Sequence, residues 1–160
     1  MEIRLAREED RMPLALLHAD VAAERKWIGA EPPVDVEARA ARWDLDRTFV
    51  ATIDDEIVGL LFVIESGWGF GEIGMTVAAS SRRRGVGAGL MLAALDWARS
   101  RRLHKLTLDV FPHNTAAIAL YERFGFVKEG YRAAHYRRGD EYVDAVLMAY
   151  WLKGSDPEGV

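Results

Sequence analysis

Apolar positions along this chain fall into two rhythms, and the alternation between them lays out its elements. Leu14, Leu17 and Val21, with alanines between them, recur at helical spacing up to about Glu24. Glu8, Glu9 and Asp10 put acid at the start of that helix, with Asp10 the expected N-cap. Pro13 is tolerated in a first turn, where the N–H groups lack partners anyway. A second helix is expected from about Val36 to Trp43, led by Asp35. Leu90, Ala94, Trp97 and Ala98 give a third helix its buried stripe, from Leu90 to about Arg101. A fourth runs from Asn114 to Phe124, closed by Gly125 in the left-handed conformation. The β-rich runs are residues 2–6, 48–53, 57–65, 72–78, 106–110, 127–135 and 141–151. Asp54-Asp55-Glu56, the glycine-rich residues 66–71 and Arg138-Gly139-Asp140 mark hairpins. The order β-αα-βββ-α-β-α-ββ predicts an α/β fold, a mixed sheet with helices on its faces. A single domain over residues 1–153 follows, with 154–160 a polar, flexible tail.

Composition narrows the function classes. At 160 residues, half of them hydrophobic and with five Trp, six Phe and five Tyr, the chain can bury one sizeable core. A net charge of −4 argues against a nucleic-acid partner. Cysteine is absent, which excludes disulfides and a thiolate nucleophile and fits a reducing compartment. The first residues lack the apolar core of a signal peptide, and no run has the length of a membrane span. A soluble cytoplasmic protein is expected. His18, His104, His113 and His135 show no metal-ligand spacing, so no metal is expected.

The stretch Arg82-Arg83-Arg84-Gly85-Val86-Gly87-Ala88-Gly89-Leu90 carries the candidate chemistry. It follows a strand and opens a helix, so glycines that admit close approach precede N–H groups without internal partners. The positive end of the helix dipole adds to them, and a diphosphate is the natural guest. A Walker A loop and a dinucleotide fingerprint both fail, the second because Leu90 stands where a third glycine belongs. What remains is Arg82-x-x-Gly85-x-Gly87. A tight strand-to-helix turn with solvated arginines fits the same residues. The second informative stretch is Asn114-Thr115-Ala116-Ala117-Ile118-Ala119-Leu120-Tyr121-Glu122-Arg123-Phe124-Gly125-Phe126. Asn114 and Tyr121 share one helix face about 10 Å apart along its axis. Taken alone, Asn114 reads equally as an N-cap and Tyr121 as a core residue.

Together the two stretches resemble the GNAT superfamily of acetyl-CoA-dependent N-acetyltransferases. The resemblance extends through the element order and implies a mixed, mostly antiparallel sheet with helices on both faces. It also implies that the backbone of Arg83, Arg84, Gly85, Val86, Gly87 and Ala88 holds the pyrophosphate of acetyl-CoA, with an arginine among Arg82, Arg83 and Arg84 left for the outer phosphate. Asn114 would touch the pantetheine arm. Backbone N–H near Met75, Thr76 and Val77 would meet the thioester carbonyl as it becomes an oxyanion. Tyr121, two turns into its helix, would protonate the departing thiolate.

An amine must lose a proton before attacking a thioester, since a lysine-like ammonium has a pKa near ~10.4, and a carboxylate can take that proton. Glu72, where related enzymes place a base, is the leading candidate, ahead of Glu65 and Glu24. Without cysteine, direct transfer in a ternary complex is expected over a cysteinyl acyl-enzyme. The loop Lys26-Trp27-Ile28-Gly29-Ala30-Glu31-Pro32-Pro33 is too aromatic and apolar for a plain linker, and Trp27, Ile28 and Glu24 are candidates for the acceptor pocket. Residues 130–144 look like the branch acetylating free amino acids and similar small amines, close to enzymes acting on ribosomal-protein N-termini. A protein N-terminal acetyltransferase and a non-catalytic acyl-CoA-binding sensor are the alternatives to a small-amine enzyme. A homodimer is common in the superfamily.

Overall fold

The structure, a computed structural model, describes residues 1–152; the tail expected at 154–160 lies outside the described residues. Its elements are β1 (Glu2–Leu5), α1 (Arg11–Ala23), α2 (Val36–Ala41), β2 (Thr48–Ile53), β3 (Glu56–Glu65), β4 (Phe70–Val77), α3 (Val86–Ser100), β5 (Lys105–Val110), α4 (Thr115–Arg123), β6 (Val127–Arg138) and β7 (Glu141–Trp151). This is the expected order. The sheet has seven strands in the order β1-β2-β3-β4-β5-β7-β6. β1/β2, β2/β3, β5/β7 and β6/β7 pair antiparallel, and β4/β5 is parallel, so the sheet is mixed and mostly antiparallel and is flanked by helices.

Two compact units divide the chain, Met1–Val63 with Met75–Leu95, and Ile64–Gly74 with Asp96 onward. In the first, Ala6, Leu14, Leu17, Val21, Trp43, Val50 and Leu60 form a buried cluster, and Trp27, Ile28 and Phe62 pack against it. Asp54 and Asp55 both take positive φ, 50° and 64°, as the two-residue turn between β2 and β3 requires. Gly59 on β3 lets α3 sit close, because a Cβ there would stand 2.7 Å from Val86 Cγ1 and 3.1 Å from Leu90 Cδ1. The start of α3 is thereby seated on the sheet. Asp35 caps α2 as expected, accepting from Ala38 N–H at 2.9 Å.

Asp10 behaves differently from its expected role. Its carboxylate makes no cap bond to α1; it accepts from Arg7 N–H at 2.7 Å and from Arg4 Nη1 at 2.6 Å. A buried ion pair with β1 won over the helix end. α3 also begins a full turn before the expected Leu90, because Val86 to Gly89 are already helical.

In the second unit, the parallel register of β4 and β5 runs Phe70↔Lys105, Gly71↔Leu106 and Glu72↔Thr107. Gly125 closes α4 at φ 97°, as expected, and Phe126 packs between Tyr121 and Tyr150, with ring centroids at 5.9 and 5.6 Å. β6 outlasts the expected end at His135, running to Arg138 through a register shift between Arg132 and Tyr136. Ala134, at φ 50°, donates its N–H to Asp144 at 2.6 Å within that shift, and Tyr131 Oη donates to the same carboxylate. A bulge breaks the two-residue rhythm, so the strand pattern fades in the sequence while the strand continues.

Candidate active site

In the first unit, β4 ends at Val77, and a short 3₁₀ turn (Ala79–Ser81) leads into the arginines. Arg82 is extended (φ −66°, ψ 151°), Arg83 turns to φ 60° and Gly85 to φ 80°. Gly89 N–H then donates to Gly85 O at 3.0 Å, starting α3. Val86, Gly87 and Ala88 occupy the first turn, where N–H groups have no intrahelical acceptor, and Gly85 has no side chain to cap them. A Cβ at Gly85 would meet nothing within 4 Å, so the approach to those N–H groups is open. The positive φ thus falls on Arg83 and Gly85, while Gly87 lies inside the helix. Arg83 and Arg84 are exposed and make no ion pair among the described residues. These features suit a diphosphate: fixed donors, a dipole end and two uncommitted cations.

Arg82 is committed elsewhere. Its Nη1 and Nη2 donate to Glu24 at 2.8 and 2.6 Å, and its Nε donates to Val77 O at 3.2 Å. Trp27 Nε1 donates to the same Glu24 carboxylate at 2.7 Å. The hydrogen bonds from Arg82, ahead of any other cause, hold the Glu24 carboxyl below the ordinary carboxylate range. Glu24 therefore makes a poor base, and the first unit brings it together with Arg82 and Trp27 instead. Ile28 packs against the core cluster. Met75, Thr76 and Val77 close β4, with Thr76 buried.

In the second unit, Asn114 caps α4, accepting from Ala117 N–H at 3.3 Å. The cap reading of Asn114 is therefore realised, and α4, unlike α3, arrives with its own side-chain cap. Tyr121 is buried, and burial pushes its phenol up to about 12, so the hydroxyl keeps its proton across the neutral range. Glu72 is exposed at the strand pair Glu72↔Thr107. Glu65 is engaged by Arg101 Nη2 at 3.2 Å.

One residue escaped the sequence reading. Asp109, two positions beyond Thr107 on β5, projects from the same sheet face as Glu72. It accepts from Arg132 Nη1 at 3.2 Å and from Tyr136 Oη at 3.4 Å, and His135 Nε2 lies 3.9 Å away. Burial, then the charges of Asp109 and Glu72, raise the Tyr136 phenol above its usual range. The available signal was an acid placed among the apolar residues of β5; its partners come from β6, beyond local sequence. Among the described residues no group of three or more His, Cys, Asp or Glu is placed to hold a metal. No helix among them is long and apolar enough to cross a membrane.

Comparison with known proteins adds to this geometry. A family model described as the acetyltransferase (GNAT) family matches residues 15–126. L-amino acid N-acetyltransferase AaaT from Escherichia coli K12 is 29% identical over 154 residues, spanning 92% of this chain and 95% of that protein. Among solved structures, a ribosomal-protein-alanine N-acetyltransferase from Brucella melitensis superposes with a TM-score of 0.86 at 26% identity, covering 95% of this chain and 100% of that one. The protein yncA from Salmonella typhimurium, solved with acetyl-CoA, shares the fold with a TM-score of 0.86 at 18% identity over 95% of this chain and 94% of its own.

Proposed function

The chain belongs to the acetyltransferase (GNAT) family of acetyl-CoA-dependent N-acetyltransferases, and from that membership we propose direct acetyl transfer to the primary amine of a small molecule, amino acids included, by residues 1–153 acting as one catalytic domain. The observation that carries the cofactor half of this reading is the uncapped start of α3 behind an open Gly85, inside the matched span. The near-full-length likeness to an L-amino acid N-acetyltransferase supports the acceptor half.

Acetyl-CoA supplies an acyl thioester, already activated toward amines. The N–H groups of Val86, Gly87 and Ala88 hold its diphosphate, with Arg83 and Arg84 adding charge. A backbone N–H near Met75–Val77, past the residues of β4 in register with β5, donates to the thioester oxygen. Asn114 keeps its amide N–H₂ for the pantetheine arm while its Oδ1 caps α4. Glu72 takes the proton of the incoming ammonium, directly or through water. Asp109 stands as a second carboxylate on that face. As the C–S bond breaks, Tyr121 gives its proton to the leaving sulfur, and the second proton shed by the nitrogen as the amide forms restores the phenol through water. Trp27 and Ile28 wall the acceptor.

Thiol release from acetyl-CoA with a panel of amino acids, polyamines and peptides bearing an N-terminal alanine tests the proposal, with products identified by mass spectrometry. Turnover of free amino acids is expected. Turnover confined to the peptides would overturn the small-amine reading in favour of a protein N-terminal acetyltransferase, the alternative that the Brucella melitensis likeness supports. With the best acceptor, Glu72→Gln should lower kcat/KM about a hundredfold. If Asp109→Asn does so instead, the base is Asp109.

A further inference from the structure

Arg82 opens the phosphate-binding motif, yet its side chain turns away to a residue 58 positions earlier in the chain. We propose that the juxtaposed Arg82, Glu24 and Trp27 form a latch, in which Arg82 positions the loop after α1 for the acceptor and is no ligand of the diphosphate. The proposal rests on the reading of that loop as an acceptor wall, and it parts company with the motif, which would give Arg82 to the cofactor.

The geometry is specific. Arg82 spends its Nε on Val77 O at 3.2 Å and a nitrogen on each oxygen of Glu24, at 2.8 and 2.6 Å. This is the two-pronged fork that guanidinium makes and ammonium cannot. Its charge is met by a carboxylate, so it offers a diphosphate far less than the exposed Arg83 and Arg84. Glu24 in turn is the residue that ends α1, and its Oε2 also accepts from Trp27 Nε1 at 2.7 Å. The guanidinium lies 5.5 Å from the Trp27 ring centroid, and Lys26 Nζ lies 4.5 Å from it. Within the loop, Arg25 pairs with Glu31 at 2.6 Å, and Trp27 and Ile28 rest on the buried cluster. A single carboxylate therefore ties the end of α1, an indole of the loop and the last residue of β4, through Arg82, into one unit.

The pair is about a third exposed on both sides, 30% for Arg82 and 31% for Glu24. Exposed ion pairs contribute little to global stability as a rule, and a two-pronged one such as this holds its partners in one geometry. Fixing the place of Trp27 is what this one accomplishes. Direction follows as well: loss of either partner loosens the hold on the indole, and the acceptor loses a fixed wall.

The test compares the parent with Glu24→Gln, Arg82→Gln and the double variant, using an amine the parent turns over. Parent turnover establishes amine acetylation first, so a later failure belongs to the latch and the wall it positions and not to the activity. Expected are a rise in amine KM of about tenfold in each single variant, no further rise in the double variant, and an acetyl-CoA Kd by calorimetry within about twofold of the parent. Trp27→Phe, which keeps the ring and removes the N–H, should raise amine KM by a smaller factor. A readout independent of turnover is tryptic cleavage after Arg25 and Lys26, mapped by mass spectrometry, which should quicken in Glu24→Gln. Overturning results are an acetyl-CoA Kd about tenfold weaker in Arg82→Gln with amine KM unchanged, which makes Arg82 a phosphate ligand, or unchanged KM and unchanged cleavage in Glu24→Gln.

Discussion

Tyr121 shows how far a single residue can be read before its surroundings are known. Its spacing from Asn114 placed it on a helix face, and the family likeness gave it a proton to donate; neither could say how acidic it is. Burial now pushes the phenol up to about 12, so the proton is present but reluctant. Donation to a thiolate with a pKa near ~8.5 is uphill, which puts the gain in the lower part of the ~10²–10⁴-fold general-acid range or just below it. Tyr121→Phe keeps the ring against Phe126, so packing should change little. Steady-state kinetics should show kcat lowered by about tenfold to a thousandfold with the KM for acetyl-CoA nearly unchanged. An unchanged kcat, with chemistry shown to be rate-limiting, would leave Tyr121 as a packing residue. The same limit applies to Glu24 and Arg82. Their types and positions marked both as site candidates, but only the fold shows them spent on each other. A side chain's chemistry is legible in sequence; its partner 58 positions away is not.

Among the elements, the turn before α3 and the start of α4 form an instructive contrast. Both begin helices after a strand, and both carry candidate site residues. Asn114 caps α4 with its own side chain, whereas Gly85 leaves the first turn of α3 bare. The glycines were legible in the sequence, but not which of them takes the positive φ; it is Gly85, at φ 80°. Gly85→Ala has room for its methyl group, so its stability cost should be that of the left-handed conformation alone, about 1–2 kcal/mol by urea unfolding. Acetyl-CoA affinity should fall as well, by about tenfold, because the methyl group enters the open side of the turn. Gly139→Ala makes the matched control. That glycine also has positive φ, 58°, with nothing within 4 Å, but it tips the β6–β7 hairpin. A similar loss of stability with unchanged acetyl-CoA binding is expected there. Equal binding losses in both variants would detach the turn before α3 from the cofactor.

At the scale of the whole molecule, the element order was legible because hydrophobic rhythm is local, while the strand order was not. β7 enters the sheet between β5 and β6, a pairing across long sequence separation that no window of residues encodes. The polar interior was equally hidden. His18 reads as one more histidine on a helix, yet it is buried edge-on to Trp43 at 5.9 Å, and its Nδ1 has no hydrogen-bond partner among the described residues. Arg39 lies over the same indole, its guanidinium 4.1 Å from the Trp43 ring centroid. Burial first, and the charge of Arg39 second, lower the His18 pKa from 6.5 to about 4. In the unfolded chain the same imidazole titrates near its ordinary value, ~6.5. Between these two values the unfolded state binds a proton that the folded state refuses, so stability rises with pH across the window and falls as pH drops through it. The slope reaches about 1.4 kcal/mol per pH unit, and the full span is worth up to about 3 kcal/mol. His18→Met keeps a side chain of similar bulk without the titration or the unpaired nitrogen. Urea unfolding of parent and variant at intervals from pH 4 to pH 7 should give curves that converge at neither end: the variant gains on the parent steadily as pH falls. Carboxylates such as Asp10, held low by the Arg4 hydrogen bond, titrate in both proteins alike and cancel in the difference. Parallel curves would mean that His18 charges freely in the folded state, and that the interior around Trp43 is wetter than its packing indicates.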